Sequence, residues 1–149
     1  MFPVMPSRYR NLGRACAVLL AVLLFGPDRA AGEVVVVAHA GVADEEIARK
    51  DLQRIYLGKR STWNDDSTIV PAMLKAGPVH EEFVEDVVGR SAHRFANYWR
   101  QMVFTGKGTP PRSFGSEAEV VEFVKSTPGA VGYVSPGAET AGVKVLVVD

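Results

Sequence analysis

Residues 33–58 read EVVVVAHAGVADEEIARKDLQRIYLG, and the change of period inside this stretch decides the fold. Glu33 to His39 carries Val34, Val35, Val36 and Val37 as an unbroken β-branched run, the pattern of a strand buried on both faces and therefore central in its sheet. After the loop Ala40 to Ala43, the stretch Asp44 to Gly58 sets Ile47, Leu52, Ile55, Tyr56 and Leu57 at helical spacing, with Asp44 or Asp51 as N-cap and Gly58 as the stop. A buried strand followed at once by an amphipathic helix opens a layered α/β domain.

Downstream the alternation continues. Ser61 to Ser67, STWNDDS, is a turn cluster whose Asn and Asp side chains compete for backbone hydrogen bonds. Ile69 to Leu74 is a second apolar run, and Pro71 within it favours an edge or strand-end position because it cannot donate to a ladder. A helix is predicted over Val79 to Val88, closed by Gly89. Ser91 caps a longer one to Phe104 that buries Phe95, Tyr98, Trp99, Met102 and Val103. Thr105 to Ser113, TGKGTPPRS, reads as a loop, and Ser116 with Glu119 matches a capping box. Ala130 to Val134 and Val143 to Val148 read as the last strands. Trp63 is expected to pin the turn against the sheet, and Trp99 to lie in the core.

The first 32 residues follow the logic of a cleavable secretory signal. Arg8, Arg10 and Arg14 precede the apolar run Ala17 to Phe25, and the small residues Ala30, Ala31 and Gly32 follow it. That run is too short for a bilayer span, which takes about 20 apolar residues. The expected location is therefore periplasmic or secreted, with residues 33–149 as one domain. This part keeps 13 of the 17 Lys and Arg and 16 of the 17 Asp and Glu, a mildly acidic balance that argues against a nucleic-acid partner. Cys16, the only cysteine, lies in the signal, so no disulfide staples the domain and no cysteine nucleophile serves it.

Catalytic and metal patterns fail by spacing. There is no G-x-S-x-G elbow, and after His80, Glu81 and Glu82 the position of a second zinc-protease histidine holds Val84. Gly106 to Thr109 lacks the earlier glycine of a phosphate-binding P-loop. No catalytic residue, metal ligand or cofactor is assigned, and the chain is read as non-enzymatic. Lys107 and Arg112, with Arg100 at the end of the preceding helix, read either as a solvated basic loop or as a cationic rim suited to an anion or an acidic partner.

Asp51 to Asn64, DLQRIYLGKRSTWN, resembles a stretch of the phosphate-type periplasmic solute-binding proteins, through Ile55 to Lys59 and Trp63 to Asn64. Pro128 to Val134, PGAVGYV, looks like the P-G-A-I-G-Y strand late in the same family, and Tyr98 to Arg112 is similar to a short, small-domain branch of it. The resemblance implies a single-lobe periplasmic-binding-protein-like domain, α/β, with a mixed sheet flanked by helices. It implies capture of a phosphate-like small anion in partnership with the membrane component of an ABC transporter, or with another envelope protein if the fold is kept without the solute. Where the phosphate binders carry a hydroxyl-rich loop, this chain reads Lys75-Ala76-Gly77-Pro78-Val79-His80. The ligand-binding candidates are Ala40 and Gly41 after the first strand, Gly77 and His80 at a helix start, and Lys107 and Arg112. Open α/β sheets place ligands at such strand ends.

Overall fold

Val35, Val36 and Val37 of the four-valine run open β1 (Val35–His39), which runs antiparallel to both its neighbours, with Val36, Val37 and Ala38 buried. The computed structural model describes residues 33–149, so the signal expected over residues 1–32 lies outside the described residues. Around β1 the sheet has six strands in the order β2-β6-β1-β5-β3-β4. These are β2 (Glu46–Ile47), β3 (Val70–Leu74), β4 (Arg112–Phe114), β5 (Ala130–Val134) and β6 (Val143–Val148). β2 is parallel to β6, and β3 is parallel to both β5 and β4, so β1 alone runs against the rest. The sheet is mixed, as expected.

Helices cover both faces. α1 (Arg49–Tyr56) and α2 (Pro78–Phe83) lie on the face of Tyr133, whose ring stacks on Phe83 at 3.8 Å between centroids while the Tyr56 hydroxyl donates to the Ala72 carbonyl at 2.8 Å. α3 (Ala92–Phe104) packs outside them, and its Trp99 indole N–H donates to the Tyr56 carbonyl at the end of α1. On the other face α4 (Glu117–Ser126) lies across Gly132, where an added Cβ would come within 2.7 Å of Val120. Glycine is needed there for the helix to approach the strand. Gly129, at φ 79°, is needed too, because its Cβ would sit 2.1 Å from the Thr68 carbonyl oxygen. Trp63 ties its own Ser61 to Ser67 turn to the start of β5 as expected, its indole N–H donating to the Gly129 carbonyl at 3.0 Å. The six strands, the helices on either side of them and the apolar core on both faces are all built from residues 33–149.

Several boundaries differ from the sequence reading for local reasons. Ile47 belongs to β2, and α1 starts only at Arg49 with Ala48 as an N-cap that makes no side-chain bond. Neither Asp44 nor Asp51 caps it: the Asp44 carboxylate holds Asn64, and Asp51 pairs with Arg60 at 2.9 Å. The helix predicted over Val79 to Val88 is α2 widened into a π-helical turn at Val84–Val88, ended by Gly89 in the left-handed region. β3 is flanked by β5 and β4, and of the two positions expected for Pro71 it takes the strand end. Pro71 is tolerated because β4 pairs only from Ala72 onward, so no neighbour needs its missing N–H. The TGKGTPPRS loop ends in the short edge strand β4, and Val103, expected in the core, is 53% exposed.

Candidate functional site

The direction of the strands sorts the candidates. β3, β4 and β5 are parallel, so their C-terminal ends, at Leu74, Phe114 and Val134, share one edge of the sheet. β1 is antiparallel, with Val35 beside Val134 and Ala38 beside Val131, so Ala40 and Gly41 leave the opposite edge. These two residues do not share a cleft with Gly77 and His80. Gly41 is held locally instead, its N–H donating to His39 Nδ1. Lys107 lines a crevice with Gly58, Ile69, Pro71 and Trp99, beside the start of β3 rather than its end. Arg112 lies over the rings of Phe114 and Phe123, with its guanidinium carbon 5.9 and 5.3 Å from their centroids. Only Gly77 and His80 remain together.

Lys75 to His80 leaves the end of β3 and enters α2. The Lys75 N–H donates to the Phe114 carbonyl, tying the loop to β4, while its side chain is exposed. Gly77 takes φ 104°, and Pro78 begins the helix, where its missing N–H costs nothing. The first-turn N–H groups of Val79 and His80 have no carbonyl within the helix to reach. His80 itself is only 7% exposed and serves as the anchor of this turn. Its Nδ1 is hydrogen-bonded to the hydroxyl of Tyr133 on β5, which in turn accepts the Leu74 N–H at 3.1 Å. Burial holds the imidazole pKa below its usual value, against a smaller opposing pull from Glu81, and pushes the Tyr133 phenol up. The network therefore assigns a neutral His80 that accepts from Tyr133 O–H and carries its proton on Nε2.

Beside this loop, carboxylates occupy the start of α4. Glu119 accepts from the N–H groups of Gly115 and Ser116, and Glu117 accepts from both the N–H and the hydroxyl of Ser135 beyond β5. These donors are satisfied from within, which leaves Lys75 as the exposed cation of this edge, beside the open first-turn N–H groups of α2. Lys75 was not among the candidates from sequence. Its position, directly after the second apolar run, was the available signal. Among the described residues, no group of three or more His, Cys, Asp or Glu is placed to hold a metal, and no helix is long and apolar enough to cross a membrane.

Solved structures with this fold include a phosphate ABC transporter substrate-binding protein from Clostridium perfringens with bound phosphate (TM-score 0.62, 18% identity, 78% of this chain against 44% of that one). An ABC-type phosphate transport receptor from Vibrio cholerae (TM-score 0.59, 18% identity, 77% against 45%) and PstS from Borrelia burgdorferi (TM-score 0.59, 16% identity, 78% against 47%) share it too. The fold is that of a phosphate-type substrate-binding protein. The chain spans less than half the length of these substrate-binding proteins. At this identity the likeness is one of fold, and no protein-family model and no curated protein matches the sequence.

Proposed function

We propose that this chain is an exported, non-enzymatic solute-binding-protein-like domain that contacts a small phosphate-like anion at the C-terminal edge of its sheet and serves ABC-type uptake from the periplasm. The observation that supports this reading is the place of the Lys75 to His80 loop. It lies at the strand ends where open α/β sheets bind ligands, and the fold is shared with a substrate-binding protein that holds phosphate. Lys75 would supply charge, and the N–H groups of Gly77, Val79 and His80 would supply directional donors. His80 acts as a positioning residue, since its bond to Tyr133 fixes the turn.

One ammonium and a few N–H groups on a single open lobe support weak capture, with a dissociation constant on the order of 1 mM, about −4 kcal/mol. Calorimetric titration of residues 33–149 with phosphate and with sulfate tests this. Saturable heat in the millimolar range is expected, weakened roughly tenfold in Lys75→Ala, because a hydrogen bond to a charged group contributes about 1.5–3 kcal/mol. No heat from either anion at about ten times that dissociation constant would sink solute binding. It would favour a second reading, an envelope protein-interaction module that kept the fold without the solute. The internal satisfaction of the Gly115, Ser116 and Ser135 donors by Glu119 and Glu117 speaks for that alternative.

A further inference from the structure

The chain segregates its charge. Residues 87–116 contain five cations, Arg90, Arg94, Arg100, Lys107 and Arg112, and no carboxylate, whereas the rest of residues 33–149 has 8 Lys or Arg against 16 Asp or Glu. Among the described residues the ion pairs are Asp51 with Arg54 and Arg60, and Glu45 with Lys144, so none of the five is neutralised. The same segment carries the most exposed large apolar side chain among the described residues. Phe104, at the end of α3, is 91% exposed, and Val103 beside it is 53% exposed. Arg100 lies one helical turn before Phe104, and Lys107 follows it between Gly106 and Gly108. A shallow open groove of about 610 Å³, mostly apolar, runs past Tyr98, Met102 and Phe104.

We propose that this end of α3 docks the domain on an anionic lipid surface, with Phe104 and Val103 entering the headgroup boundary and Arg100 and Lys107 held among the phosphates. Two features favour a lipid surface over a protein partner. The apolar tip projects, so a protein would have to supply a matching hole, whereas a lipid interface accepts an aromatic wedge without one. The groove beside Phe104 is also lined by Arg100 and Lys107 and by no carboxylate, so an anionic surface is attracted at the same place where the apolar tip would enter it. This inference stands apart from anion capture at Lys75, which lies after β3 and not on α3.

Cosedimentation of residues 33–149 with vesicles of phosphatidylglycerol mixed with phosphatidylcholine, and with phosphatidylcholine alone, tests the proposal. Binding is expected only to the anionic vesicles and should fall as salt rises. Each cation near the surface contributes roughly fivefold, so Arg100→Glu with Lys107→Glu should weaken binding by at least about 25-fold. Phe104→Ser should also weaken it while leaving the thermal midpoint unchanged, because the side chain is exposed. Absence of binding to the anionic vesicles, equal binding to both compositions, or unaltered binding of these variants overturns the proposal. So does a photo-crosslinker at position 104 that captures a protein in cells while no vesicle binding is found.

Discussion

His80 shows how one buried side chain can couple a loop to pH. Its Nδ1 accepts from Tyr133 only while the ring is neutral, and burial keeps it so by depressing the folded-state pKa below 6.5. In the unfolded chain the imidazole titrates near about 6.5. As pH falls through that value the unfolded state takes up a proton that the folded state refuses, so stability is full above it and is lost as pH drops toward the folded pKa. Thermal melts from about pH 7.5 to about pH 5 should show this loss, and His80→Gln, which keeps a polar group without an imidazole, should flatten it. A profile of the same slope in the variant would place the titration elsewhere. His80 was singled out from sequence for its place at a helix start, and that place is right. Its burial and its bond to Tyr133 could not be read, because the two residues are 53 positions apart and meet only when β5 pairs beside β3.

At the scale of elements, what was legible depended on whether the signal was local. The capping box of α4 is written within four residues, and the structure makes both halves of it: the Glu119 N–H donates to Ser116 Oγ, and the Glu119 carboxylate accepts the Ser116 N–H. Ser116→Ala should cost about 1 kcal/mol, and the double change with Glu119→Ala about 1–2 kcal/mol, less than the sum of the singles because the bonds are reciprocal. Urea unfolding of the three variants measures this, and strict additivity would mean the box is not one unit. Elements defined by a partner strand were harder to read. β2 is two residues and β4 three, too short for a period, and each exists because β6 or β3 offers it a parallel edge. Ile47 fits a helical spacing by coincidence, and the pairing of Glu46 and Ile47 with β6 overrides it. The ligand candidates failed to converge for the same reason. Loops at strand ends can be named from sequence, but which edge each one leaves depends on strand direction, and the antiparallel setting of β1 sends Ala40 and Gly41 away from Gly77.

At the scale of the whole molecule, the sheet lies between two helical layers and touches both. α4 covers one face alone, while α1, α2 and α3 cover the other, and both tryptophans serve that second side: Trp99 donates to Tyr56 and Trp63 to Gly129. Their indoles are 5% and 2% exposed, so their fluorescence reports the environment of that side. β1, β5 and β3 are shared by both layers, and Gly132 presses α4 so closely onto β5 that loosening the helix must loosen the strand. Val124→Ala removes two buried methyl groups from the α4 side and should cost roughly 1–3 kcal/mol. If the layers unfold as one unit, the urea midpoint followed by tryptophan fluorescence moves by the same amount as the midpoint followed by far-ultraviolet circular dichroism. A variant whose fluorescence transition stays in place while the dichroism transition shifts would mean that α4 melts by itself, and that the sheet does not couple the layers.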